Sequence, residues 1–223
     1  MADNDKKLID FWDNESKKPD WTSVVGGDQT LSTQMVYDFF LANFDFRDKL
    51  ILEIGCGVGR LARFFSTIGT KGYIGLDHSM GMVLRCQKAV LELPAQEEAK
   101  LLQAKAPGLP FRDLQFDVVI LWTVLMHIMD DDEFYQSILE AKRVSKAGVL
   151  ICDTLSVAEE FRCWDDKAKI RTYRRYKEAL TSDEEFELLY SGERCFGSIE
   201  HPDSLRAVFY VRRKGASLAP HGG

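Results

Sequence analysis

The chain has 223 residues but only five cysteines and four histidines, and neither set is clustered. No Cys-x-x-Cys pair occurs, and no group of histidines and cysteines has the spacing of a zinc site. An odd number of thiols without a pairing pattern argues against a disulfide framework and for a reducing compartment. Cys56, Cys86 and Cys152 lie in apolar stretches and read as core thiols. The first seven residues are polar and lack the apolar centre of a secretory leader. No apolar run approaches the roughly 18 residues needed to cross a bilayer. These absences predict a cytoplasmic protein without a membrane span. Positive charge is also short: 29 Lys and Arg stand against 35 Asp and Glu, for a net charge of −6. That disfavours a general nucleic-acid binder, which usually presents a basic face. A hydrophobic content of 45% is ordinary for a soluble chain, and the length suits one domain with a sizeable core.

What the sequence does have is a glycine-rich turn in a strand-turn-helix setting. Leu50, Ile51 and Leu52 lead to Glu53, then glycine recurs at Gly55, Gly57 and Gly59. A helical pattern follows in Leu61, Phe64, Phe65 and Ile68. Glycines this dense let the backbone take positive φ and approach a ligand, and a following helix offers free amides to it. Before this turn, residues 32–44 read as an amphipathic helix on Met35, Val36, Phe39, Phe40 and Phe44, with Ser32 as N-cap and Tyr37 off the stripe. Residues 1–30 are polar with three apolar anchors, Phe11, Trp12 and Trp21, and read as a packed arm or a lid. Gln29 and Thr30 are candidate polar contacts there.

After the turn, residues 73–77 form a second strand ending in Asp77, 24 residues beyond Glu53. Residues 80–93 read as a helix stopped by Pro94, and 100–104 as a third strand. The apolar run 116–122 predicts a central strand covered on both faces. A helix opens at Asp130, Asp131, Asp132 and Glu133, whose charges suit a helix start better than a metal. Lys146–Gly148 ends that helix, and 149–153 is a fifth strand. Two more strands, 186–193 and 205–211, close the pattern. The tail 215–223 has no periodicity and reads as flexible. Alternating strands and helices predict a doubly wound α/β sheet whose ligand lies outside the carboxyl ends of the strands.

The segment Glu53-x-Gly55-x-Gly57-x-Gly59 resembles motif I of the class I S-adenosylmethionine (SAM) methyltransferases, in their small-molecule branch. The dinucleotide fingerprint fits less well: its third glycine would fall where Arg60 stands, and Glu53 would oppose a pyrophosphate. The resemblance implies a Rossmann-like seven-stranded sheet with the last strand antiparallel and helices on both faces. It implies SAM as cofactor, with no metal. An acid at the end of the second strand is placed to grip ribose hydroxyls, which assigns Asp77. The implied cofactor contacts are Glu53, Gly55, Cys56, Gly57, Gly59, Asp77, His78, Met80, Lys105, Ala106, Trp122 and Thr123. One departure stands out. Leu109-Pro110-Phe111 matches the family, but Lys105 occupies the position of its adenine-binding aspartate and cannot accept a hydrogen bond. Adenine then needs backbone, water or another acid such as Asp113.

The segment from Phe116 to Ile128 also resembles the family. It offers His127 as a general base after the fourth strand, against the alternative of a buried structural histidine. Tyr37, Asp153 and Tyr173 are weaker candidates for that role. Candidate substrate contacts are Trp21, Tyr37 and Tyr173. The basic, tyrosine-bearing run 171–177 reads either as a solvated helix or as a surface for an anionic or sugar-phosphate substrate. The expected layout is an N-terminal helical arm or lid over 1–45 and a catalytic domain over 46–214, with a substrate-covering insertion near 155–185. The expected activity is methyl transfer to oxygen or nitrogen of a small metabolite, with a sugar or natural-product intermediate as the candidate acceptor. The alternatives are a protein or RNA methyltransferase and a non-catalytic SAM-binding protein; an NAD-linked reductase fits least.

Overall fold

A computed structural model describes residues 2–19, 31–92, 99–163, 166–194, 204–216 and 218. In chain order the elements are α1 (Ala2–Glu15), α2 (Leu31–Asn43), β1 (Leu50–Ile54), α3 (Arg60–Ser66), β2 (Gly72–Asp77), α4 (Met80–Leu91) and β3 (Ala99–Gln103). There follow β4 (Phe116–Trp122), a 3₁₀ turn (Leu125–His127), α5 (Asp131–Val144), β5 (Ser145–Ser156), β6 (Phe161–Cys163), β7 (Ala168–Ile170), α6 (Tyr173–Leu180), β8 (Phe186–Arg194) and β9 (Ser204–Arg213). Seven strands make one sheet in the order β3-β2-β1-β4-β5-β9-β8, and β6 pairs with β7 in a small separate hairpin. The last strand in sequence, β9, is antiparallel to both of its neighbours. This is the expected doubly wound Rossmann-like sheet with its antiparallel closure.

The chain divides into two compact units, residues 1–105 with 218–223, and residues 106–217. In the first, β1, β2 and β3 run parallel, with Leu50 opposite Gly72 and Tyr73 opposite Ala99. β1 is buried at four of its five residues, as a strand covered on both faces must be. Phe40, Phe46 and Phe65 are almost fully buried. Phe46 meets Phe40 and Phe65 at ring distances of 5.6 and 5.1 Å, a geometry favourable for edge and tilted aromatic contacts. In the second unit β4 and β5 are parallel, and β5 continues beyond β4 to pair with β9 as far as Ser156.

Several boundaries differ from expectation for local reasons. Residues 2–15, at the start of the expected N-terminal arm, are helical. The residues expected to end α5 as a turn instead open β5, where the Ser145 hydroxyl donates to the Gly148 carbonyl and accepts from its amide. A side chain at Gly148 would strike Tyr210 and the Val211 carbonyl, both at 2.7 Å, so glycine there serves close strand packing. Leu218 is 2% exposed, and its carbonyl accepts from the Asp45 amide at 3.1 Å. Among the described residues, no helix is long and apolar enough to cross a membrane. Trp21, Gln29, Thr30 and Pro94 lie outside the described residues.

Gly59 is the N-cap of α3 at φ 85°, and a side chain there would sit 3.2 Å from the Cys86 sulfur and 3.3 Å from the Ala89 Cβ of α4. Gly59→Ala combines left-handed strain with this crowding, so it is expected to lower unfolding free energy by about 1–3 kcal/mol. A denaturant midpoint equal to that of the parent would contradict this account.

Candidate functional site

In the first unit the site is built from the ends of β1, β2 and β3. Gly55, Gly57 and Gly59 take φ values of 77°, 49° and 85°, so the turn uses left-handed backbone at every second residue. The Gly55 and Cys56 amides both donate to the Leu76 carbonyl, at 2.7 and 2.8 Å, folding the turn back onto the end of β2. The Gly57 amide donates to Asp77 Oδ2 at 3.1 Å, and the Ser79 amide to Asp77 Oδ1 at 2.9 Å. Burial raises the Asp77 carboxyl above its ordinary range, opposed by His78 and by the amides of Ser79, Gly57 and His78. A side chain added at Gly57 would meet nothing within 4 Å, so the turn faces open space at that residue. α3 has seven residues, so the cradle rests on the turn's own amides more than on a long helix dipole.

Glu53 is 3% exposed, and the Tyr73 hydroxyl donates to its carboxylate. Burial drives the Glu53 carboxyl up to about 8, against the Tyr73 bond and the charge of Arg60 and reinforced by Asp77. Gly75 stands opposite Glu53 in the sheet. An added Cβ there would lie 2.9 Å from the Tyr73 hydroxyl, so the bare backbone leaves room for the tyrosine to reach across. Reasoning from sequence misses Tyr73 as a site residue, although a bulky residue two before a glycine on one strand face is the pattern that permits it.

The neighbouring groups follow. Ser79, the N-cap of α4, accepts from the Met82 amide at 3.0 Å and donates to Asp13 of α1. Asp13 also accepts from the Gly81 amide at 2.9 Å. His78 Nδ1 lies 3.8 Å from Asp77, while its buried Nε2 has no hydrogen-bond partner among the described residues. Gln103, opposite Asp77 on β3, donates to the His78 carbonyl at 2.9 Å. Met80 is 42% exposed, Cys56 is buried in the turn and Lys105 is exposed. Tyr37 stacks on Phe64 at 4.6 Å and donates to the Arg60 carbonyl at 3.0 Å, bracing the first turn of α3.

In the second unit, Trp122 is buried at the end of β4 and Thr123 follows at φ 56°. A β-branched residue in that region is strained and is held there by its amide bond to the Cys152 carbonyl at 2.7 Å. His127 is half-buried, and its Nδ1 lies 2.9 Å from the Lys167 carbonyl. A carbonyl can only accept, so Nδ1 carries the proton in the neutral ring and Nε2 the basic lone pair. Ala106 is buried in this unit.

Two expectations change here. Asp153 is fully buried and accepts from the Met126 amide, the Tyr176 hydroxyl and the Thr154 amide at 3.0–3.1 Å. Burial lifts it to about 6 against those donors, and it acts as an internal brace in place of an exposed base. Part of the basic run is paired within the chain: Arg171 with Asp131, Arg175 with Glu160 and, at 3.8 Å on the surface, Arg174 with Glu178. Arg174 and Lys177 are exposed, so the run reads as a solvated helix face with its inner bases paired. Tyr173 opens α6 with its ring stacked on Phe209 at 5.7 Å. Asp113, the alternative adenine acceptor, accepts from Arg143 at 2.7 Å. Asp130 caps α5 through the Asp132 and Glu133 amides, as its position suggests.

Because the unfolded chain ionises Glu53 near 4.5 and the folded chain near 8, the folded state retains a proton between those values. The Glu53 contribution to stability of the cofactor-free protein is therefore expected to fall as pH rises from 5 to 8 and to level off above 8, with a slope of at most about 1.4 kcal/mol for each step of one in pH, to which Asp153 adds below about 6. Glu53→Gln should flatten that slope in thermal unfolding; an unaltered slope would count against a protonated Glu53.

Residues 51–148 match the family model described as a methyltransferase domain. An uncharacterised protein of Methanocaldococcus jannaschii is 29% identical over 140 residues, spanning 62% of this chain and 60% of its own length, so the chain spans less than two thirds of that relative. Among solved structures, the [4+2]-cyclase SpnF superposes with a TM-score of 0.76 at 16% identity, covering 94% of this chain and 96% of that one. Magnesium protoporphyrin IX methyltransferase from Synechocystis, solved with bound SAM, gives 0.71 at 16% identity, covering 95% and 97%. At these identities the structural likeness establishes the fold.

Proposed function

We propose, from the match of residues 51–148 to the methyltransferase-domain model, that the protein is a SAM-dependent methyltransferase acting on oxygen or nitrogen of a small metabolite in the cytoplasm. The observation that carries this reading is the contact between the Asp77 carboxylate and the Gly57 amide. It joins the glycine turn to the acid of the neighbouring strand, where a nucleoside ligand of this fold is gripped.

The residues fit the cofactor. The turn is open at Gly57, the Asp77 carboxylate suits ribose hydroxyls, a cationic amino group bound beside Glu53 would favour its ionised form, and the His78 Nε2 offers a polar atom without a partner among the described residues. Gly55, Cys56 and Gly59 shape the turn, while Met80, Lys105, Ala106, Trp122 and Thr123 stay assigned to the cofactor on family resemblance. When bound, SAM supplies a methyl group activated by its sulfonium. The chain's own task is then to align an acceptor atom, since orientation provides most of the acceleration in such a displacement. His127 is assigned as the base that removes the acceptor's proton through Nε2. Tyr37, Trp21 and Tyr173 remain proposed neighbours of the acceptor, with Tyr37 and Tyr173 contributing ring faces more than hydroxyls.

A small-molecule acceptor is supported by the protoporphyrin methyltransferase of the same fold and by Arg171 and Arg175, which are committed to acids within the chain and so withheld from an RNA or an acidic protein. A second reading follows from Lys105 and from the cyclase that shares the fold: a SAM-binding protein that transfers no methyl.

Calorimetry with SAM and S-adenosylhomocysteine is expected to show binding, and Asp77→Asn to weaken it roughly 10- to 100-fold through two lost charge-assisted hydrogen bonds. No binding of either compound by the folded parent protein sinks the proposal. Incubation with methyl-labelled SAM and a metabolite extract should label a small product. On that product His127→Ala should slow turnover by about 10²–10⁴ while leaving S-adenosylhomocysteine affinity unchanged. Binding without any label transfer favours the non-methylating reading.

A further inference from the structure

The inserted segment after β5 is expected from sequence to cover the substrate, yet its best-defined contacts point inward, to the stretch carrying His127. The β6–β7 hairpin pairs Phe161 with Ile170 and Cys163 with Ala168. Ala168 and Ile170 pack with Met126, the residue preceding His127, in one buried apolar cluster. Lys167, in the turn of the hairpin, presents its carbonyl to His127 Nδ1. Just beyond β7, Arg171 is 0% exposed, an extreme for a guanidinium. It donates to the Leu125 carbonyl at 3.1 Å and the Ile128 carbonyl at 2.8 Å, on either side of His127. Its Nε and Nη2 both reach Asp131 Oδ1, at 3.0 and 2.8 Å, and its plane lies 4.2 Å from the Phe134 ring centre.

We propose that Arg171 is a positioning residue for His127: it clamps the turn from Leu125 to Asp131 against the β6–β7 hairpin, so that the Lys167 carbonyl selects the Nδ1–H form of the ring. The inference rests on the base role assigned above, but concerns the ring's orientation and tautomer. The chemistry is that of a shared anchor. A buried guanidinium is tolerated only with its donors satisfied. Here those partners are the two carbonyls flanking His127 and the first residue of α5. Moving the His127 turn would strip Arg171 of its acceptors, so the turn has one low-energy place. With the turn fixed, the carbonyl of Lys167 can only accept, which sets the proton on Nδ1 and aims the basic pair of Nε2 elsewhere. A lysine at 171 would supply one point of charge without the planar fork that spans both carbonyls and the carboxylate.

The test needs no acceptor. In the full-length protein with ¹⁵N-labelled histidine, NMR of neutral His127 should show a protonated Nδ1 and an unprotonated Nε2. Arg171→Met should leave the fold intact by circular dichroism and convert that single form into a mixture of tautomers, a loss of selectivity of roughly five- to tenfold for one hydrogen bond. Arg171→Lys should give an intermediate mixture. S-adenosylhomocysteine affinity should not change in either variant. Where Arg171→Met does not fold, Asp131→Asn, which keeps an oxygen acceptor but removes the charge, takes its place with the same expected broadening. A protonated Nε2 in the parent, or an unchanged tautomer in a folded variant, overturns the proposal. Normal turnover of His127→Ala would instead remove the base assignment and leave the tautomer result standing.

Discussion

The hydrogen bond from the Gly57 amide to the Asp77 carboxylate is the constraint on which the first half of the site depends. β1 and β2 end side by side, with Ile54 opposite Leu76. The chain must turn sharply after Ile54 while two amides are already committed to the Leu76 carbonyl. Only positive φ at Gly55 and Gly57 allows that reversal and still aims the Gly57 amide at Asp77. Gly59 then admits the close approach to Cys86 and Ala89 of α4. Thus Gly55 and Gly57 make the reversal, and Gly59 makes the close approach.

Buried carboxyls recur through the chain, and the number of donors around each governs its behaviour. Glu53 and Asp153 are both buried almost completely. Glu53 has the Tyr73 hydroxyl as its hydrogen-bonding counterweight and is pushed to about 8. Asp153 has two amides and a hydroxyl and reaches only about 6. Desolvation favours the neutral acid in both cases, and each donor aimed at the carboxylate restores part of the charged form. Asp131, only partly buried, falls below the ordinary range because bonds from Lys169 and Arg171 outweigh the burial that opposes them.

Much of the fold is legible in the sequence because its signals are local. The apolar runs of β1 and β4, the glycine spacing and the acid closing β2 each depend on neighbours in sequence, and the capping roles of Ser79 and Asp130 are equally short-range. Legibility ends where a residue's partner is remote. Arg171 looks like part of a basic surface in sequence because Asp131 lies forty positions away. Asp153 resembles a base until Tyr176 and Met126 close over it. The link of α1 to α4 through Asp13 spans 66 and 68 residues and leaves no local trace.

The sequence by itself determined the sheet class and the glycine turn, since strand length, apolar periodicity and the demand for positive φ are properties of adjacent residues. Tertiary structure decided the states of the site's polar groups. Which acid is neutral, which base is paired and where His127 carries its proton all depend on burial and on partners brought from distant parts of the chain. Electrostatics in a dry interior is set by the nearest charges and dipoles in space, and their order along the chain does not record that distance.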